Sequence, residues 1–240
     1  MAEGKKNENS EKRINKPLLP LFLDLGARLV VIFGGGSVGE RKAGLFSCYG
    51  PVKVYSLDFS AGLLEMEKDP ERQIELAKCD LHQGFAGYLE GAFIAIPATS
   101  DSALNRAIEE EAAAQGIFVN KVEGVGDVVV PSILRKGSIA VAISTEIPGL
   151  TKYLRHRLEE DLSENYQEMS RLLSQIRREN KELVPAQKDR ARIIRQILQD
   201  EEVWRLLEVS YEKAYMRARY HVCLDERDSL DAGDTQESLH

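Results

Sequence analysis

The chain reads as an α/β protein: a Rossmann-type doubly wound parallel sheet, then a β-hairpin region, then a small helical domain. Three observations predict this. A continuous apolar run, Arg28–Phe33, ends directly in a glycine loop. Short apolar runs then alternate with helical patterns as far as residue 120, the rhythm of a parallel sheet with crossover helices. From about residue 150 onward, charged amphipathic helices follow one another.

The elements follow in order. Arg28–Phe33 (RLVVIF) is rich in β-branched residues and has no polar alternation, as expected of a strand covered on both faces. Gly39–Tyr49 is a helix stopped by Gly50-Pro51, and Val52–Leu57 is a second strand. Gln73–Ala77 is a weaker third strand and Ala92–Ile96 a fourth. Over Ser102–Gln115, Ala103, Ile108 and Ala112 repeat at helical spacing, and Gly116 sits where a helix stops. Ile117–Asn120 is the fifth strand. Val128–Leu134 and Ser138–Ser144, linked through Arg135-Lys136-Gly137, predict a hairpin. Leu150, Leu154 and Leu158 line one helix face, and Met169, Leu172, Leu173 and Ile176 continue the pattern. Pro185 separates these from Ile193, Ile194, Ile197 and Leu198, and then Val203, Leu206 and Leu207. The expected division is 1–16 disordered, 17–122 sheet domain, 123–150 hairpin region, 151–222 helical domain and 223–240 acidic tail.

Composition bounds the function. The 240 residues are 43% hydrophobic and 30% charged, enough for a folded core. The net charge is −7, of which −5 falls in residues 225–240, so the body is near neutral and a general nucleic-acid binder is not expected. No apolar run approaches the roughly 20 residues of a membrane span. Residues 1–16 lack the apolar stretch of a signal peptide. Cys48, Cys79 and Cys223 are far apart, and a reducing, cytoplasmic location follows. His82, His156, His221 and His240 are dispersed, with no metal-binding spacing, so no resident metal is expected.

The glycine loop carries the first chemical signal. Gly34-Gly35-Gly36-Ser37-Val38-Gly39 satisfies G-x-G-x-x-G between a strand and a helix, the context the pattern needs. The first glycine permits the turn, the second admits a pyrophosphate to backbone N–H groups, and the third allows close helix–strand packing. The helix N-terminus adds partial positive charge for the phosphates. Asp58 closes the second strand where a ribose-binding acid belongs, which favours NAD over NADP. The bland alternative is a tight turn followed by a capping aspartate.

An ordered set of motifs then resembles the precorrin-2 dehydrogenase/sirohydrochlorin ferrochelatase family, the N-terminal module of siroheme synthases. Leu19-Pro20-Leu21-Phe22-Leu23 is similar to the family's opening strand. Gly34 through Lys42 (GGGSVGERK) is similar to its GGGxVAxRK loop, with Gly39 for the usual Ala. Ala98-Thr99 with Asn105-Arg106, Val119-Asn120, Pro131-Ser132-Ile133, Ala142-Ile143-Ser144-Thr145 and Leu154 through Glu159 match later motifs in order.

The resemblance implies a homodimer that oxidises precorrin-2 to sirohydrochlorin with NAD⁺. Some members of the family then insert Fe²⁺. It implies cofactor contacts at Gly34, Gly36, Ser37, Val38, Gly39, Leu57, Asp58, Ala98 and Thr99. Substrate contacts are expected at Asn120, Ser132, Lys136 and Thr145. Glu123 stands where the family carries an acid/base aspartate, and Asp127 is its rival. A solvated glutamate and a turn-capping aspartate are the corresponding bland readings. Arg135, Lys136, Lys152, Arg155 and Arg157 suit either a basic rim for a polycarboxylate or a solvated helix face. Two other functions stand beside this one: a non-catalytic NAD- or tetrapyrrole-binding paralogue, and a different small NAD-dependent oxidoreductase.

Overall fold

The computed structural model describes residues 18–181, Val184 and 186–223. The expected disordered ends lie outside these residues, apart from Cys223, which is helical. The chain divides between Val130 and Pro131 into two compact units, so residues 123–130 group with the sheet and the hairpin groups with the helices.

The first unit is a five-stranded parallel sheet in the order β3-β2-β1-β4-β5. The strands are β1 Leu29–Phe33, β2 Val52–Ser56, β3 Ile74–Lys78, β4 Ala92–Pro97 and β5 Phe118–Val119. Among the described residues three α-helices accompany them: α1 Ser37–Phe46, α2 Ala61–Glu67 and α3 Ser102–Ala114. The central strand explains the layering. Val30 and Ile32 enter one core with Ala43 and Phe46 of α1 and Leu63 of α2, whereas Val31 and Phe33 enter another with Ile108 and Ala112 of α3. Successive strand side chains point to opposite faces, so an apolar run with no alternation demands a cover on each.

The boundaries differ from the sequence reading in instructive ways. β3 is an edge strand with no buried residue, which is why its apolar signal is weak. β5 keeps only two residues, although Asn120 N–H still donates to the Ala95 carbonyl before the chain turns away. α2 escaped the sequence reading; its signals are the Ser60 hydroxyl, which accepts from Leu63 N–H, and the buried Leu63. Leu19–Leu23 is not a strand. It is irregular, with Leu19 78% and Phe22 74% exposed, and no ladder among the described residues pairs with it. Val128–Val130 is not part of the hairpin either: Val128 and Val130 pack on the first core, and Pro131, which has no N–H to donate, precedes the hairpin.

The second unit begins with the expected hairpin, β6 Ser132–Lys136 and β7 Ile139–Ile143. Gly137, at φ +56°, begins the turn between them. Helices α4 Pro148–Asp161, α5 Glu164–Glu179, α6 Gln187–Gln199 and α7 Glu201–Leu207 follow, and a last helix, α8, spans 211–223. Met169, Leu172, Ile176, Ile193, Ile197, Val203 and Leu207 form the core with Ala214, Ala218 and Val222 of α8. α4 buries none of its side chains; its Leu154 and Leu158 are half-covered and Leu150 is exposed.

Asp200 ties this core together. Its carboxylate caps α7 at Glu202 N–H and accepts from Arg217 Nε at 2.7 Å, with His221 Nε2 at 2.8 Å, both on α8. Burial pushes the Asp200 pKa up, but the bonds from His221, Arg217 and Glu202 N–H outweigh it and hold the pKa below the ordinary carboxylate value. A depressed folded pKa gives stability that is complete above the unfolded value near 3.8 and is lost as pH falls through the folded one. Asp200→Ala therefore destabilises the helical unit by about 1–3 kcal/mol in urea unfolding at pH 7. The difference from the parent narrows below about pH 4.

Candidate dinucleotide site

The site lies at the C-terminal ends of β1, β2, β3 and β4, where open parallel sheets bind ligands. A cleft of about 480 Å³ opens there. The floor is the loop from Gly34 to Val38. Its walls are Ser56, Leu57 and Asp58 after β2, Cys79 to His82 after β3, and Ala98 to Asp101 after β4.

The glycines hold three loops at close quarters. A Cβ on Gly34, which has φ +121°, would sit 2.3 Å from the Ala98 carbonyl oxygen. One on Gly35 would sit 2.1 Å from the Asp58 carbonyl oxygen. One on Gly39 would sit 2.0 Å from the Gly34 carbonyl oxygen. Gly36 is different: it has an ordinary extended conformation, and a Cβ there meets none of the described residues within 4 Å. Packing does not require a glycine at Gly36, so the missing side chain leaves room in front of the helix. Gly36, the N-cap of α1, has no side chain to cap it, and the N–H groups of Ser37 and Val38 precede the first helical hydrogen bond, from Glu40 N–H to the Gly36 carbonyl. Open space, donor groups and a helix dipole fit a pyrophosphate.

The β4 wall is braced by Asn105. Its Oδ1 accepts from Thr99 N–H at 3.0 Å and the Thr99 hydroxyl at 2.7 Å, and its Nδ2 donates to the Thr99 carbonyl. Asp101 caps α3 at Ala103 and Leu104 N–H. These two backbone bonds lower its pKa.

Of the expected cofactor contacts, Gly34, Gly36, Ser37, Val38, Leu57, Asp58, Ala98 and Thr99 all line the cleft. Gly39 does not; it packs α1 against the loop. Sequence reasoning missed Cys79, Asp80 and His82. Their signal was positional, since they follow the third strand at the same end of the sheet.

Glu123 and Asp127 lie off the cleft, on the loop after β5. Glu123 is exposed near the loop tip, beside Gly124 at φ +79°. Asp127 helps close the loop: its Oδ2 accepts from Val119 N–H at 3.2 Å, and its own N–H donates to the Val119 carbonyl. Asn120 also holds the loop. It is 3% exposed, donates from Nδ2 to the Val128 carbonyl and accepts from Lys42 Nζ at 2.6 Å. Lys42 is thus half-buried, and burial, with help from Arg41, lowers its pKa.

In the second unit, Lys136 Nζ donates to the Glu159 and Leu162 carbonyls at the end of α4, so its ammonium terminates a helix instead of standing at an open rim. The Thr145 hydroxyl donates to the Ile147 carbonyl and lies 2.6 Å from the Thr151 hydroxyl. Ser132 pairs with Ile143 in the hairpin. Among the described residues no cluster of three or more His, Cys, Asp or Glu is placed to hold a metal ion.

A carboxylate in the open space at Gly36 tests the phosphate cradle. Gly36→Asp weakens NAD⁺ binding by at least about 100-fold in calorimetry, equivalent to about 2.7 kcal/mol. The melting temperature stays close to the parent's, because aspartate is a good N-cap and meets no steric conflict there. Unchanged NAD⁺ affinity contradicts the assignment.

Comparison with known proteins agrees with this geometry. Residues 21–132 match a family described as "Putative NAD(P)-binding". A precorrin-2 dehydrogenase of Methanosarcina barkeri is 41% identical over 206 residues, covering 83% of this chain and 91% of that protein. A siroheme synthase of Stutzerimonas stutzeri is 34% identical over 165 residues, covering 66% of this chain but 34% of its own length. The solved structure of SirC, a precorrin-2 dehydrogenase, superposes with a TM-score of 0.66 at 22% identity, covering 85% of this chain and 100% of that one, and so shares the fold. The cofactor loop, the sheet order and the near full-length similarity converge: the chain belongs to the precorrin-2 dehydrogenase family.

Proposed function

We propose that this protein oxidises precorrin-2 to sirohydrochlorin with NAD⁺ in siroheme synthesis. The observation that carries this reading is the cleft, in which open space at Gly36, the donor groups of Ser37 and Val38, and Asp58 meet in a chain of this family. When bound, the nicotinamide supplies a hydride acceptor. The protein's own tasks are to hold the dinucleotide, to orient the macrocycle and to take up one proton.

We assign the proton to Glu123. Its carboxylate is exposed near the tip of a loop whose base is held by Asn120, Lys42 and Asp127, so the tip can adjust while the base stays fixed. Asp127 serves as a positioning residue, because one oxygen is already bonded to Val119 N–H. In the second unit we assign substrate contact to Ser132 and Thr145, whereas Asn120 and Lys136 serve the fold. The macrocycle brings its own four nitrogens to any Fe²⁺ it receives, so insertion of iron as a second step asks little metal ligation of the chain. A homodimer in a reducing compartment completes the proposal; the three cysteines are free, and no helix among the described residues is long and apolar enough to cross a membrane.

An anaerobic assay with enzymatically made precorrin-2 tests the reading. Sirohydrochlorin absorbance and NADH appear together, and only when NAD⁺ is present. NAD⁺ binding with neither product favours the non-catalytic paralogue. Glu123→Gln lowers kcat on the order of 100-fold with unchanged NAD⁺ affinity. Full turnover in that variant removes Glu123 from the mechanism.

A further inference from the structure

The acid expected to read the adenine ribose does not stand alone. Asp58 Oδ1 lies 3.1 Å from Lys78 Nζ. Lys78 closes β3 directly opposite Ser56 at the end of β2, and the next N–H, from Cys79, donates to the Ser56 carbonyl at 2.9 Å. The ladder therefore fixes both residues at the same end of neighbouring strands. Both side chains are largely exposed, 89% for Asp58 and 71% for Lys78, so each remains available to a ligand. The nearby carboxylate of Asp80 is already engaged, accepting from His82 N–H and the Gln83 side chain.

An isolated carboxylate at this place repels a 2′-phosphate and binds a 2′-hydroxyl, whereas a neighbouring cation accommodates the phosphate. Here both are present, and their charges sum to zero. A lysine suits the task, because its ammonium is a compact charge on a flexible stem that can turn from one anion to another.

We propose that Lys78 sets the cofactor preference of this protein: it offsets Asp58 at the ribose 2′ position, so that NADP⁺ is admitted alongside NAD⁺. With NAD⁺ bound, Asp58 takes the ribose hydroxyls and the exposed Lys78 contributes little. With NADP⁺ bound, Lys78 swings to the 2′-phosphate. This inference rests on the dinucleotide reading of the cleft.

The test is calorimetric titration of the full chain with NAD⁺ and with NADP⁺. The parent binds NADP⁺ within about tenfold of NAD⁺, since an exposed charge pair discriminates weakly. Lys78→Ala weakens NADP⁺ by a further five- to tenfold or so and leaves NAD⁺ within about twofold. Asp58→Asn reverses the preference, because Lys78 then acts unopposed. The Lys78→Ala effect on NADP⁺ shrinks at high salt, as expected of an exposed ion pair. NAD⁺ binding retained, with a ratio that Lys78→Ala does not move, overturns the role of Lys78 alone. Failure of the parent to bind either dinucleotide overturns the cleft assignment beneath it.

Discussion

The first unit depends on one steric constraint: three loops meet at the C-terminal edge of the sheet at distances that exclude a Cβ. Gly34 lies against the Ala98 carbonyl, Gly35 against the Asp58 carbonyl and Gly39 against the Gly34 carbonyl. Side chains at these points would push apart the β1, β2 and β4 loops and lift α1 from the sheet. Only with the loops drawn together do the helix N-terminus, Asp58 and Thr99 face one cleft. Gly36 then has a separate purpose, since none of the described residues crowds it. Three glycines close the structure, and the fourth leaves room for a ligand.

Around that constraint the polar groups fall into two sets. Asn105, Asp101, Asn120, Lys42 and Asp127 satisfy one another and backbone groups, and so hold the walls and the β5 loop in place. Their bonds are largely internal, which suits positioning. Asp58, Lys78 and Glu123 remain exposed, which suits contact with a ligand. In the helical unit Lys136 and Asp200 perform the first kind of task, ending one helix and starting another.

Much of the sheet was legible in the sequence because its signals are local. An apolar run such as Leu29–Phe33 fits a doubly covered strand, and glycines at fixed spacing directly after it fit a turn onto a helix. The cleft wall was legible for the same reason: eight of the nine residues expected there line it, at the loop and the strand ends. What remained hidden depends on partners distant in sequence. Nothing local in Lys42 announces Asn120, 78 residues on, nor does Lys136 announce the carbonyls of α4. Lys136 therefore read as a substrate residue. Leu19–Leu23 read as a strand from its resemblance to the family, but a strand needs a neighbour to pair with, and none of the described residues supplies one. Lys78 was invisible until the register of β2 and β3 placed it beside Asp58.

The central claim is that the glycine loop seats a dinucleotide across the ends of β1 and β2. A crystal structure of the protein grown with NAD⁺ tests it most directly. The pyrophosphate is expected within hydrogen-bond distance of the Ser37 and Val38 N–H groups, with the adenine ribose on Asp58. A dinucleotide bound elsewhere, or seated on the loop with its ribose turned away from Asp58, would contradict it.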